Sequence, residues 1–279
     1  MLYRSTRGNG KVVGASAAII RGIAEDGGLY VPEEFPKITK SFQELGNMNY
    51  RELAFYIIKK YFDDFSDDEL RECIDRAYDE KFENSYIAPL NYKAGAYFLE
   101  LYHGKTLAFK DMALSILPHL LKTAGKKIGI TKEIVIVTAT SGDTGKAALE
   151  GFDSVDKTKI VVFYPKDGVS EIQKRQMTTQ EGKNTFVVGI EGNFDDAQNG
   201  VKEIFNDKAF NELLNKNEYM LSSANSINIG RLVPQVVYYV HSYVKLLKDK
   251  KIQEGEIINV VVPTGNFGNI LAAFYAKAM

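Results

Sequence analysis

The sequence predicts an α/β protein, a parallel sheet flanked by helices, preceded by a smaller and mostly helical region. Short runs that are apolar on both faces recur after Pro89, as in EIVIVT over residues 133–138. Strands buried on both sides belong to parallel sheets. Helical patterns alternate with these runs, which is the order a parallel crossover topology needs. Before Pro89 the pattern changes to helices headed by capping boxes.

The first elements follow a glycine-rich opening that ends in Asp26-Gly27-Gly28-Leu29-Tyr30-Val31-Pro32, a turn leading into a short strand. Asn49 with Glu52 reads as a capping box ahead of Leu53, Ile57 and Tyr61 on one helical face. Ser66 with Glu69 repeats the signal ahead of Leu70, Ile74, Ala77 and Tyr78. We expect a domain over residues 1–88 and an α/β region over residues 89–279. In the second region, strands are expected at residues 133–138, 159–164, 186–190 and 257–262. A helix starting at Gly145 follows the first strand, and Ser170 with Gln173 caps another. Asp195 is expected to cap the stripe Ala197, Val201, Ile204 and Phe205, and residues 236–247 suit a partly buried helix.

Composition narrows the function. Thirty-five basic against 36 acidic residues give a net charge of −1, with no excess of positive charge for nonspecific nucleic-acid binding. Forty-five per cent hydrophobic and 25% charged residues are ordinary for a globular chain and exclude disorder. The lone Cys73 permits neither an internal disulfide nor a cysteine-based zinc site. His103, His119 and His241 are far apart and lack metal-ligand spacing. The opening residues hold no signal-peptide core, and no apolar run approaches the ~20 residues of a membrane span. These features point to a cytoplasmic protein.

Four segments could carry chemistry. Ala139-Thr140-Ser141-Gly142-Asp143-Thr144-Gly145 lies between a strand and a helix, where parallel sheets bind ligands. Its hydroxyls, glycines and helix start suit a carboxylate or phosphate, and they equally suit a capped strand-to-helix turn. A nucleotide P-loop would need glycine at Thr140 and a hydroxyl at Ala147, and both fail. Pro263-Thr264-Gly265-Asn266-Phe267-Gly268-Asn269 is a second glycine-containing loop before a helix, able to turn N–H groups on a phosphate or to act as a plain turn. No G-x-G-x-x-G fingerprint is present. Lys110 follows three apolar residues that would partly desolvate its amine, as a nucleophilic lysine needs, although most lysines are solvated surface charges. It opens a helix interrupted by Pro118. Arg231, after Asn225-Ser226-Ile227-Asn228, could grip a phosphate bidentately or belong to a surface helix cap.

In this order, the segments resemble the threonine synthase family of pyridoxal-phosphate enzymes, of fold type II. The resemblance runs through Tyr3-Arg4-Ser5-Thr6-Arg7-Gly8, Asp26-Gly27-Gly28-Leu29-Tyr30, Leu107-Ala108-Phe109-Lys110-Asp111, Thr140 to Gly145, Gln176-Met177-Thr178-Thr179, Gly192 to Gln198, Asn225 to Asn228 with Arg231, and Gly265-Asn266-Phe267-Gly268-Asn269. It implies pyridoxal 5'-phosphate as cofactor, held covalently by Lys110, which also moves protons. Gly265, Asn266, Phe267, Gly268 and Asn269 would cradle the cofactor phosphate, and Asp143 would lie near the ring hydroxyl. Ser141, Gly142 and Thr144 would receive the substrate carboxylate or phosphate, and Ser226, Asn228 and Arg231 the substrate phosphate. No metal is implied.

The reaction implied is O-phospho-L-homoserine plus water giving L-threonine and phosphate. Proton transfer between adjacent carbons asks for one mobile amine, the role offered to Lys110. Two phosphates explain two anion-receptive regions. Two departures stand out: Lys105 replaces a proline frequent in the family, and the chain ends within the helix after the phosphate loop. The resemblance thus implies a chain lacking the C-terminal part of the large domain, including the group beside the pyridine nitrogen. Alternatives are a related phospholyase that releases a keto acid, or an inactive chain acting as a non-catalytic module.

Overall fold

The apolar alternation of the first residues pairs them at once: Tyr3 and Ser5 point inward from β1 (Leu2–Ser5) while Leu2 and Arg4 face out. β1 is the centre of a three-stranded antiparallel sheet with β2 (Val13–Gly14) and β3 (Tyr30–Pro32), in the order β2-β1-β3. The computed structural model describes residues 1–279 apart from Ser141, Ile227 and Thr264. α1 (Ala15–Arg21) separates β2 from β3. Three helices follow, α2 (Phe42–Gly46), α3 (Tyr50–Tyr61) and α4 (Asp67–Ala77), each closed by a complete capping box: Ser41 with Glu44, Asn49 with Glu52, and Ser66 with Glu69. The expected faces are inward, with Leu53, Ile57, Tyr61, Leu70, Ile74 and Ala77 buried.

A hairpin of β4 (Leu90–Lys93) and β5 (Ala96–Leu99) leads to the split helix α5 (Asp111–Leu114) and α6 (Leu117–Lys127). Pro118 lies in the first turn of α6, where its missing N–H costs no hydrogen bond. The main sheet is parallel throughout. It contains β6 (Glu133–Ala139), β7 (Thr158–Pro165), β8 (Thr185–Ile190) and β9 (Tyr219–Ser222) in the order β8-β7-β6-β9. Ile134 pairs with Thr158 and Ala139 with Phe163, while Glu133 pairs with Tyr219 on the other side. α7 (Asp143–Phe152), α8 (Glu171–Thr178), α9 (Phe194–Asn206) and α10 (Lys208–Lys216) connect these strands. α11 (Ile229–Lys248) and α12 (Gly268–Ala278) complete the fold.

Four expectations are corrected. Residues 257–262 form no strand: no neighbouring strand pairs with them among the described residues, and Ile257 and Val261 are 88% and 92% exposed. An apolar segment becomes a strand only when a ladder satisfies its backbone. α7 starts at Asp143 rather than Gly145. α9 is capped by Asn193, whose side chain accepts from the Asp196 N–H while Asp196 reaches back; Asp195 sits inside the first turn. α11 starts seven residues earlier than expected, because Asn228 caps it; Pro234 lies inside the helix, where it forgoes one backbone hydrogen bond without ending it. One large core joins the N-terminal helices to the rest, drawing Tyr3, Ile57, Ile74, Leu120, Ile136, Val162, Val237 and Tyr275 into contact.

Candidate functional site

The carboxyl end of β6 opens the site. Thr140 is buried, and its hydroxyl accepts the N–H groups of Gly142 at 3.1 Å and Gly145 at 2.9 Å while donating to the Gly142 carbonyl. This folds the loop tightly onto itself. A Cβ on Gly145 would stand 2.5 Å from Thr140 Cγ2 and 2.7 Å from Met177 Sδ, so only glycine fits. Two residues earlier on β6, the Thr138 hydroxyl donates to Asn225 Oδ1 at 2.7 Å, tying the end of the strand to the segment that leads into α11. Ser141 lies outside the described residues. Gly142 is buried, and Thr144 is half-buried in the first turn of α7.

Asp143, the first residue of α7, faces Lys110. The Lys110 ammonium donates to both carboxylate oxygens at 2.7 Å, and the lysine side chain is only 15% exposed. Its amine also lies 4.8 Å from the centre of the Phe109 ring. The loop that carries Lys110 is held from behind by Asp111. That buried carboxylate accepts the Thr106 N–H at 2.8 Å and the Thr106 hydroxyl at 2.5 Å. Burial raises the Asp111 pKa, and the two Thr106 bonds oppose the rise. Gly104 leaves the space Asp111 needs, since a Cβ there would meet its side chain at 2.6 Å. Leu107 takes a left-handed φ of 59°, an uncommon conformation for a branched residue.

Arg231 lies within the electrostatic field of Asp143. It is buried, its Nη1 donates to the Ala224 carbonyl at 2.8 Å, and among the described residues its Nε has no hydrogen-bond partner. Burial pulls its pKa from 12.5 to about 10, against the opposing field of Asp143. A guanidinium stripped of water with a donor unspent is a receptor for an anion. Burial excludes the alternative of a surface helix cap for Arg231.

Asn228 departs from its expected role. Its amide hydrogens go to the Ile19 and Ser223 carbonyls, and its Oδ1 accepts the Gly230 N–H. Both donors are consumed in holding α11 to α1, which leaves nothing for a phosphate. Ser226 is half-buried and borders the loop before α12: a Cβ on Gly268 would stand 3.0 Å from Ser226 Cβ. That loop, with exposed Gly265, Asn266 and Phe267, opens on a cavity of about 480 Å³ lined by Ser226, Asn266, Phe267, Gly268 and Phe274. Phe267 precedes the first turn of α12, and among the described residues its side chain makes no capping hydrogen bond. Asn269 is half-buried, and its side chain is turned to α11 instead of the loop.

The three histidines serve elsewhere. His103 meets Glu100 at 2.8 Å. His119 and His241 are each pushed down to about 4, chiefly by burial, and His241 stacks edgewise on Tyr50. Burial raises the Cys73 thiol to about 11. The residues missed by sequence reasoning are Thr140 and Asp111, whose buried oxygens shape the two loops. Their signal was proximity alone: each adjoins a residue already singled out.

Residues 2–78 match the family model "Threonine synthase N terminus", and residues 87–277 match "Pyridoxal-phosphate dependent enzyme". The chain belongs to the pyridoxal-phosphate dependent enzyme family, with the fold type II architecture. Within it, the chain is similar to threonine synthases over its whole length. It is 39% identical to the threonine synthase of Pseudomonas aeruginosa, covering 100% of this chain and 57% of that one. It is 44% identical to human "Threonine synthase-like 1", over 95% of this chain and 37% of the relative. A crystal structure of PLP-bound threonine synthase from Brucella melitensis superposes with a TM-score of 0.88 at 39% identity, covering 58% of that chain. The chain thus spans between about a third and three-fifths of the length of these relatives.

The residues present fit pyridoxal phosphate. Lys110 offers an amine at the mouth of a sheet, the uncapped start of α12 offers N–H groups to a phosphate, and Arg231 holds an unspent donor for a second anion.

Proposed function

We propose that this chain binds pyridoxal phosphate through Lys110 and takes part in converting O-phospho-L-homoserine and water to L-threonine and phosphate. The observation that carries this reading is the Lys110–Asp143 ion pair at the carboxyl end of β6, with the buried Arg231 within the electrostatic field of the same carboxylate. We also take residues 1–88 as the N-terminal domain and 89–279 as the cofactor-binding region.

Bound cofactor supplies an electron sink that stabilises negative charge on the substrate carbons. Lys110 holds it and moves protons at the substrate carbons through Nζ. Asp143 holds that amine and would lie near the cofactor's ring hydroxyl. Gly265, Asn266, Phe267 and Gly268, with the backbone of Asn269, would hold the cofactor phosphate, since the Asn269 side chain is engaged elsewhere. Ser141, Gly142 and Thr144 would border the substrate carboxylate or phosphate at the start of α7, with the Gly142 N–H itself held by Thr140. Arg231 and Ser226 would grip the substrate phosphate as it leaves.

Two measurements test this. Visible absorbance of the protein with pyridoxal phosphate should report attachment, lost in Lys110→Ala. Product analysis from O-phosphohomoserine distinguishes threonine from the keto acid that a phospholyase would release. A keto acid alone would overturn the threonine assignment while leaving the cofactor site intact.

A further inference from the structure

One buried polar network is left unused by these roles. It joins α11, which carries Arg231 in its first turn, to the first turn of α12. The Tyr238 hydroxyl donates to Asn269 Oδ1 at 2.5 Å, and the Tyr239 hydroxyl donates to the same oxygen at 2.7 Å. Gln235 Oε1 stands 3.1 Å from the Tyr238 oxygen, and Gln235 Nε2 donates to the Arg231 carbonyl at 3.0 Å. Tyr238 is fully buried and Tyr239 nearly so. Burial raises both hydroxyls, Tyr239 to about 12, so both remain donors at neutral pH.

We propose that Tyr238 and Tyr239 are positioning residues for the phosphate loop, fixing its place relative to Arg231 through Asn269. The inference rests on the cofactor reading above. Asn269 follows Gly268, so holding its side chain holds the N–H groups that begin α12. The opposite end of α12 is tied separately, where Lys37 donates to the Ala278 carbonyl and the Ile38 N–H to that of Met279. Apolar contacts between two helices resist separation but permit sliding and rotation. Two hydroxyls on one acceptor permit neither, because a buried oxygen left unpaired is costly. The network then continues through Gln235 to the backbone of Arg231, so the two anion-receptive regions share one rigid frame.

The test compares affinity for pyridoxal phosphate with that for 5'-deoxypyridoxal, which keeps the aldehyde and lacks the phosphate. The ratio of the two dissociation constants, read from visible absorbance, isolates the phosphate loop from general folding. The Tyr238→Phe/Tyr239→Phe protein keeps both rings and loses both donors; Asn269→Ala loses the acceptor from a half-buried site. Each is expected to lower the preference for pyridoxal phosphate at least fivefold, and combining all three should lower it little further. A packing role would lower melting temperature and weaken both ligands alike. A ratio within twofold of wild type in both proteins overturns the proposal. If the double variant fails to fold, Asn269→Ala decides alone by the same criterion. Wild-type protein binding neither aldehyde overturns the cofactor reading itself, a separate outcome.

Discussion

Replacing Arg231 by methionine separates what the residue does for folding from what it does for binding. Burial holds the guanidinium near 10 against its ordinary 12.5. At about 1.36 kcal/mol per tenfold change in proton affinity, that difference is a penalty on the order of 3 kcal/mol. The sign follows from linkage: the folded chain holds this proton less tightly than the unfolded chain, so the penalty is present at every pH below about 10. Methionine removes the charge and fills similar volume, but strands the Ala224 carbonyl, at roughly 1 kcal/mol or somewhat more. The variant without ligand should therefore be about 1–2 kcal/mol more stable, or roughly 2–8 °C in melting temperature for a chain of this size. The same change should weaken binding of the phosphorylated substrate, or its transition state, by about 2–4 kcal/mol, the worth of a charge-assisted contact. Thermal melts with and without inorganic phosphate read both effects, with cofactor absorbance as the control. A less stable variant that still gains stability from phosphate would refute the reasoning, because Arg231 would then be structural.

Three other perturbations follow from the geometry. Thr140→Val should cost about 1–3 kcal/mol in denaturant unfolding, since it orphans the buried N–H of Gly142 and leaves the Gly145 N–H only its 3.2 Å bond to the Gly142 carbonyl; a loss below 1 kcal/mol would show that the loop does not depend on that hydroxyl. Gly145→Ala should cost about 1–3 kcal/mol by overpacking against Thr140 and Met177, and an unchanged melting temperature would contradict the contacts described. His119 and His241 are held near 4 in the folded chain against 6.5 in the unfolded one, so folding keeps them neutral and stability falls as pH drops from 6.5 toward 4, by about 3 kcal/mol for each. His119→Gln should flatten that part of the melting curve against pH, and an equally steep curve would assign the acid sensitivity elsewhere.

The parallel sheet was legible because both-face apolar runs such as residues 133–138 have few other uses, and the capping boxes at Asn49 and Ser66 because their signal is local. Pairing was not legible. β9 is four residues with one fully buried side chain, and it is a strand only because the edge of β6 is available to it. The reverse holds for residues 257–262, whose apolar pattern finds no partner. In the site, Lys110 and Asp143 were each legible in their loops, but their ion pair spans 33 residues and depends on the fold. Asn228 shows the opposite failure: an amide in a polar run looks like a ligand contact until both its hydrogens are found on backbone carbonyls. Arg231 could be read as a phosphate contact or a surface cap, and only its burial decides between them.

The central claim, that Lys110 is the cofactor-bearing amine beside Asp143, is tested most directly by borohydride reduction of the protein with pyridoxal phosphate, followed by peptide mapping. The label is expected on Lys110, and Lys110→Ala should take up none there or elsewhere at equal cofactor. A label on another lysine, or stoichiometric labelling of the Lys110→Ala protein, would contradict the account.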